Sequence, residues 1–148
     1  MPNTEFFERL TPSPGTLLAL SLSAPMVLLA ALPFSFEIAL LLAIVTPTLL
    51  ISLSFVMAPT IQLVNDELRV GRMVIPLSAL GMAEVFSGEE ARLERGPRLS
   101  ANSQRLFRGD IGSVVKIGVV DQEDPTDYLI FSTRKGLELV GAISANFA

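Results

Sequence analysis

The chain has 148 residues and a mass of 15.9 kDa, enough for one modest domain and an appendage. Half of the residues are hydrophobic, only 18% are charged and the mean hydropathy is +0.54, which argues against an ordinary soluble globule. The absence of cysteine and histidine excludes disulfides, thiol nucleophiles, histidine bases and Cys/His zinc sites. A net charge of −4 and a pI near 4.8 argue against a nucleic-acid binder.

Two long uncharged stretches occupy most of the first 65 residues. No charged residue lies between Arg9 and Glu37, or between Glu37 and Asp66. A transmembrane helix needs about 20 mostly apolar residues, so each stretch is long enough for one crossing. The sequence therefore predicts a polar N-terminal segment and a helical transmembrane hairpin with these bounds: segment 1–14, hairpin 15–58, and spans of about 15–34 and 38–57.

Two alternatives to the hairpin stay open. The first stretch could be the apolar core of a cleaved signal peptide that precedes a single span, although Glu5 and Glu8 give its leading segment the wrong charge. The two helices could also form a buried pair in a soluble protein.

The interior of the hairpin contains small residues and prolines. Small residues are expected to let the two spans approach each other: Ala19, Ser23, Ala30 and Ala43. Pro25 and Pro47 lie inside the spans, where proline is common and is expected to bend the helices.

The positively charged residues give the hairpin a direction. All 11 Lys and Arg residues lie outside it, with Arg9 before it and the others from Arg69 onward, whereas the connecting turn carries Glu37. The positive-inside rule then places both termini in the cytoplasm. We expect a multi-pass protein of the cell membrane, surrounded by the lipid bilayer.

Residues 60–148 have the pattern of a small, mainly β domain. Short apolar or alternating stretches predict these strands: Thr60–Val64, Glu67–Arg72, Met73–Leu77, Leu80–Phe86, Ile111–Val120 and Asp127–Ser132. Asn65-Asp66 suits a tight turn between the first two. Leu137, Val140, Ile143 and Phe147 have helical spacing and predict a C-terminal helix over about 135–147. The expected fold class is α+β, a membrane α-hairpin followed by a strand barrel or sandwich closed by this helix.

Four local patterns carry a resemblance to a known family: Asn65–Arg72, Ile75–Leu77, Asp124–Tyr128 and Ile130–Arg134. With the polar N-terminus and the two adjacent spans, they resemble the actinobacterial membrane proteins grouped as domain of unknown function 3093, over roughly residues 5–145. The resemblance implies a pleckstrin-homology-like β domain, a strand barrel closed by a C-terminal helix. The family has no established activity, so the resemblance implies an architecture and a location but no reaction.

The segment from Arg92 to Arg108 holds five arginines and one acid, Glu94. The arginines are Arg92, Arg95, Arg98, Arg105 and Arg108. Near a cytoplasmic leaflet, each would attract anionic lipid headgroups by about 1 kcal/mol. Lipid-headgroup contact is therefore one prediction, and a solvated irregular loop is the alternative, because Gly96 and Pro97 favour irregular structure.

The acidic residues give little support for a metal site or for catalysis. Asp121, Glu123, Asp124 and Asp127 lack the acid spacing and the glycine of a calcium loop, so a polar turn is favoured. The sequence has no nucleophile elbow, phosphate loop or dinucleotide fingerprint. We expect no catalytic residue, no metal and no cofactor, and therefore a protein that is not an enzyme.

The sequence predicts a function in binding. The leading interpretation is a non-catalytic binding or scaffolding module for a membrane protein partner, or for a second copy of the chain, without nucleic acid. One alternative is anionic-lipid binding through the Arg92–Arg108 segment. Another is a small accessory subunit of a membrane transporter or channel.

Overall fold

A computed structural model describes residues 4–147, so residues 1–3 and 148 of the predicted segments lie outside the described part. The described chain divides into two compact units, the hairpin unit Thr11–Ala58 and a β domain formed by residues 4–10 and 59–147. The strands within the described range are β1 (Thr4–Arg9), β2 (Thr60–Val64), β3 (Glu67–Val70), β4 (Met73–Pro76), β5 (Leu80–Phe86), β6 (Gln104–Leu106), β7 (Val114–Val119) and β8 (Tyr128–Ser132). The α-helices there are α1 (Pro14–Ser21), α2 (Ser23–Ala31), α3 (Phe36–Val56), α4 (Gly88–Arg95) and α5 (Gly136–Phe147).

The hairpin unit has two apolar arms. α1 and α2 form the first arm, Pro14–Ala31, and α3 forms the second, Phe36–Val56. Both arms are long and apolar enough to cross a membrane by length and composition. The prediction of two such helices is confirmed, with bounds close to those expected.

The two prolines affect their arms differently. The first arm is interrupted at Leu22, because Pro25 has no N–H for the carbonyl of Ser21. α3 instead continues through Pro47, and the Thr48 hydroxyl donates a hydrogen bond of 2.7 Å to the Ile44 carbonyl. Pro47 has no N–H for the carbonyl of Ala43, and the Thr48 hydroxyl thus bonds to the carbonyl next to it.

Alanines form the buried part of the hairpin. Ala31, Ala39 and Ala43 are the buried residues of α2 and α3, while most of the large apolar side chains in the arms are exposed. Of the small residues expected at this contact, Ala43 is buried but Ala19 and Ala30 are exposed. The prediction therefore holds for Ala43, whereas Ala31 and Ala39 were not among the predicted residues.

The hairpin is inserted between the first two strands of an antiparallel sheet, β1-β2-β3-β4. Arg9 pairs with Thr60, and the Leu10 N–H donates to the Pro59 carbonyl at 2.9 Å. The chain therefore leaves the sheet at Leu10 and returns beside it. This corrects the predicted boundary, because part of the segment 1–14 forms a strand of the β domain.

The turn between β2 and β3 has the predicted conformation. Asn65 and Asp66 have positive φ angles of 51° and 62°, as a tight hairpin of this type requires. Leu68 and Val70 are buried and Arg69 is exposed, so the expected alternation along β3 is confirmed.

A second sheet follows a single 3-10 turn at Leu77–Ala79. Its order is β5-β7-β8-β6, and β6 lies parallel to β8 whereas the other pairs are antiparallel. The described strands thus form two four-stranded sheets and no closed barrel. The expected closed barrel is not formed, because among the described strands no pairing joins β1 or β4 of the first sheet to β5 or β6 of the second.

Both sheets and α5 contribute to one hydrophobic core. Leu63 of the first sheet, Phe131 of the second and Leu139 of α5 are fully buried in it. The predicted C-terminal helix is confirmed, but its buried face differs from the expected one. Ile143 faces the core as predicted, whereas Leu137 is exposed.

Candidate functional site

The five arginines of the predicted lipid segment are spread over several elements. Arg92 and Arg95 lie on α4 and Arg105 lies on β6, while Arg98 and Arg108 lie in the loops that follow these elements. The alternative prediction was a solvated irregular loop, but part of this segment forms α4 and β6. The arginines therefore do not form one continuous loop surface.

Two of these arginines bond to groups inside the β domain. The Arg95 guanidinium donates to the Ile111 carbonyl. Arg108 makes a two-pronged pair with Asp110, at 3.0 Å through Nε and 3.3 Å through Nη2, and its side chain is only 18% exposed. These two cations support the loop before β7.

The other three arginines are exposed. Arg92 lies 3.8 Å from a Glu89 carboxylate oxygen, and Arg98 lies 3.3 Å from Glu94. Arg105 projects from β6, an edge strand. Lipid contact by this segment stays a prediction, and the cations available for it are fewer than the sequence suggests.

Buried Glu94 links α4 to the second sheet. Its carboxylate accepts hydrogen bonds from Lys116 Nζ at 3.1 Å and from Arg98 Nη1 at 3.3 Å. The Lys116 ammonium also lies 4.4 Å from the centre of the Tyr128 ring, a cation–π contact. Burial of Glu94 opposes its ionisation, but the hydrogen bonds and charges of Lys116 and Arg98 outweigh that effect and lower the pKa of Glu94. Glu94 is thus an ionised group that stabilises the fold.

A second polar cluster, which we call the β8–α5 junction, surrounds Ser132, Thr133 and Arg134. The Thr133 hydroxyl donates to the buried Glu8 carboxylate, and the Arg134 backbone N–H donates to Glu8 Oε1 at 2.9 Å. The Ser132 hydroxyl accepts from the Arg108 backbone N–H at 3.0 Å. The junction therefore ties β1 to the start of α5.

Asp110 completes this junction. Its carboxylate lies 3.0 Å from Arg108 Nε and 3.7 Å from Arg134 Nη2. Glu8 and Asp110 are thus both engaged by donors of the β domain. The Ser-Thr-Arg pattern that carried part of the family resemblance forms a structural cluster in the fold.

The acidic residues before β8 form a hydrogen-bonded turn. Asp121 Oδ1 accepts from the Glu123 N–H at 3.0 Å, and Asp124 Oδ1 accepts from the Thr126 N–H at 2.9 Å. Hydrogen bonds from the Thr126 side chain and backbone lower the pKa of Asp124. Across residues 4–147, no group of three or more His, Cys, Asp and Glu residues is placed to hold a metal ion.

A groove that the sequence did not indicate lies between β5 and the C-terminal half of α5. Its volume is about 570 Å³, and its lining is mostly apolar: Leu80, Gly81, Met82, Ala83, Ile143, Ser144 and Phe147. Met82 is 84% exposed and Phe147 is 56% exposed. β5 is also an edge strand, so the groove combines apolar side chains with a free sheet edge. In the sequence, the signal that could have indicated this groove is Met82, a methionine at an outward position of β5.

The comparison with known families matches nearly the whole chain. The sequence model of a family described as "Protein of unknown function (DUF3093)" matches residues 5–143, and the chain belongs to this family. No curated protein and no solved structure matches it. The family membership predicted from local patterns is thereby confirmed.

Proposed function

We propose that this member of a family of unknown function is an integral membrane protein whose hairpin anchors the β domain at the cytoplasmic face. The observation that carries the proposal is the apolar surface of the hairpin unit. In 18-residue windows of Pro14–Ala31 and Phe36–Val56, only 6% and 11% of the residues are buried. Water-soluble proteins rarely expose so large an apolar surface, whereas lipid covers it favourably.

The insertion of the hairpin between paired strands supports two crossings. Leu10 and Pro59 are hydrogen-bonded neighbours, so both arms connect to the same end of the first sheet. A cleaved signal peptide would remove β1 and, with it, the Glu8 carboxylate that accepts from Thr133 and Arg134. The signal-peptide alternative therefore conflicts with the fold of the β domain.

The arginines next to the hairpin support its proposed direction. Arg9 precedes the first arm, and Arg69 and Arg72 follow the second. Because the turn around Glu37 has no cation, the positive-inside rule favours a cytoplasmic β domain.

The β domain works by binding a membrane protein partner in this proposal, without catalysis. Its buried carboxylates, Glu8 and Glu94, are held by donors within the fold, which suits structural roles. The groove beside β5 suits an extended apolar segment of the partner, which would add a strand to the free edge and place side chains against Met82 and Phe147. A pleckstrin-homology-like fold of the β domain, without the closed barrel, is part of the proposal, and the two sheets followed by one C-terminal helix support it.

Site-specific crosslinking in native membranes tests this proposal. A photo-crosslinking residue replaces Met82 in the full-length chain, and the matched control carries it at exposed Ala101. We expect one membrane protein to be captured from position 82 only, and capture to fall when Phe147→Ser is added. Equal capture from both positions, or capture of lipid alone, would contradict the proposed partner binding.

The alternatives from the sequence are outcomes of the same experiment. Capture of a transporter or channel in fixed ratio would make the chain an accessory subunit. Lipid binding through the Arg92–Arg108 segment is less well supported, because Arg95 and Arg108 bond inside the domain.

A further inference from the structure

We infer that the partner segment bound beside β5 is extended and basic, with Lys or Arg residues that alternate with apolar ones. The open edge of β5, two clefts between β5 and α5, and the carboxylate of Glu84 carry the inference. It deepens the proposed function and rests on it, because it names the chemistry of the segment that the β domain binds.

The outer edge of β5 is open to another strand. β5 is the first strand of the second sheet and pairs with β7 on one side only. Across residues 4–147, no backbone hydrogen bond joins Met82–Phe86 to any element other than β7. An extended segment of a partner can therefore add a strand here through main-chain hydrogen bonds.

The side chains along the regular part of β5 alternate between the core and the solvent. Ala83 and Val85 pack against the hydrophobic core, whereas Glu84 between them is exposed. Residues that lie directly opposite each other on neighbouring strands project from the same face of a sheet. An added strand would therefore turn apolar residues toward the core side, opposite Ala83 and Val85, and one residue toward solvent, opposite Glu84.

Two clefts between β5 and α5 can receive the inward side chains. The groove beside β5 contains Phe147, and a second cleft of about 550 Å³ lies between Val85 and the first turn of α5, where Leu137 is 82% exposed. Leu137 and Phe147 lie near the two ends of α5, about 15 Å apart along the helix. A strand covers this distance in about four to five residues. Apolar residues four positions apart on one face of an extended segment would thus reach both clefts.

Glu84 gives the open edge its preference for a cation. Its cross-strand partner on β7 is Lys116, but the Lys116 ammonium bonds to the Glu94 carboxylate at 3.1 Å. Within residues 4–147, the Glu84 carboxylate has no hydrogen bond or ion pair. A Lys or Arg residue opposite Glu84 on the added strand would therefore form a cross-strand ion pair, which attracts the two strands.

The surrounding charges also favour a basic segment. Residues 80–91 contain three acidic residues and no Lys or Arg. The cations on the α5 side, Arg134 and Lys135, each lie within 4.0 Å of a carboxylate oxygen. β5 of a second copy would bring Glu84 and no cation, so it fits this edge less well than a basic segment of another protein.

Membrane proteins contain segments of this chemistry. Their short cytoplasmic segments next to transmembrane helices are rich in Lys and Arg. Such a segment is present at the side of the membrane where the proposed function places the β domain. The expected partner region is therefore a cytoplasmic segment that flanks a transmembrane helix and alternates basic with apolar residues.

Binding of designed peptides to the detergent-solubilised full chain tests the inference. The probes are fluorescent peptides of equal length, in which valine alternates with lysine or with glutamate, and binding is measured by anisotropy in a non-ionic detergent. We expect only the lysine peptide to bind, and an N-methylated lysine peptide, which keeps the charge but loses N–H donors, to bind much more weakly. Glu84→Gln should weaken binding by up to about fivefold. Glu84→Lys should transfer the preference to the glutamate peptide.

A charge-matched variant separates the open edge from general attraction. Glu123→Lys changes the net charge equally, in the exposed turn before β8, and should leave the preference for the lysine peptide unchanged. The inference is overturned if this variant acts like Glu84→Lys, if N-methylation has no effect, or if the two peptides bind equally or not at all while Tyr128 fluorescence shows an intact fold. Those results would leave partner capture from position 82 standing, whereas loss of that capture would contradict the proposed function.

Discussion

The hairpin unit and the β domain are both rich in apolar residues, but they bury different ones. The hairpin buries small residues such as Ala39 and exposes large ones such as Leu41, which is 62% exposed. The β domain buries its largest apolar side chains, with Phe131 fully covered. In the β domain water drives large side chains inward, whereas the large side chains exposed on the hairpin unit are the ones that lipid would cover in the proposed membrane insertion.

The largest expected effect comes from removing a core side chain of the β domain. Phe131→Ala should lower the free energy of unfolding by about 3–5 kcal/mol, because it leaves a cavity among fully buried neighbours. Leu41→Ala in the hairpin should change it by less than about 0.5 kcal/mol. Urea unfolding of the detergent-solubilised chain, followed by the fluorescence of Tyr128, the only tyrosine, measures both. Similar losses of unfolding free energy in the two variants would contradict the difference between the β domain and the hairpin unit. If Phe131→Ala does not fold, the milder substitution Phe131→Leu replaces it in this comparison.

The hairpin should instead be sensitive to enlarging its buried alanines. Ala39→Leu adds volume at a fully buried position and should weaken the packing of the two arms by about 1–3 kcal/mol. Ala30→Leu, at an exposed position, is the matched control and should have little effect. Energy transfer between labels on the two arms, during a titration with SDS, reports this packing. Equal effects of the two substitutions would show that the arms do not pack as described.

Acid should weaken the β domain partly through Glu94. The folded state lowers the pKa of Glu94, so its contribution is complete above the unfolded value near 4.3 and is lost as pH falls through the folded value. Glu94→Gln should cost about 1–3 kcal/mol at pH 7, and the difference from wild type should shrink below about pH 4. Exposed Glu90 provides the control, Glu90→Gln. A difference that stays constant between pH 7 and pH 3 would contradict this account.

The smallest expected effects are opposite changes in stability when two glycines of α5 are replaced by alanine. A Cβ atom on Gly136 would lie 2.9 Å from Val85 Cγ1, so Gly136→Ala should destabilise the β domain by about 1 kcal/mol or more. A Cβ atom on Gly141 would meet no atom within 4 Å, so Gly141→Ala should stabilise the helix by up to about 1 kcal/mol. Thermal unfolding measures whether each variant is less or more stable than the wild type. The same sign for both variants would mean that α5 does not pack against β5 through Gly136.

The elements that could be predicted from the sequence are those with a local pattern. The alternation in β3, the turn residues at Asn65-Asp66 and the β-branched run in β7 identify their elements without any knowledge of their partners. β1 was missed because Phe6 and Phe7 are adjacent and its partner β2 lies beyond the whole hairpin. α4 was missed because one of its two buried residues is a glutamate, so it has no apolar stripe.

The candidate sites were harder to predict for the same reason. The sequence groups the arginines from Arg92 to Arg108, but their partners decide which are available. Arg95 reaches a carbonyl 16 residues away, and the Glu8 carboxylate meets Thr133 across 125 residues.

Accessibility of single cysteines in intact cells tests the central claim of two crossings most directly. Phe34→Cys places a thiol at the exposed turn of the hairpin, and Asn102→Cys places one on the surface of the β domain. The account predicts that a membrane-impermeant maleimide labels position 34 in intact cells and position 102 only after permeabilisation. Labelling of both positions from the same side would contradict a hairpin that crosses the membrane between β1 and β2.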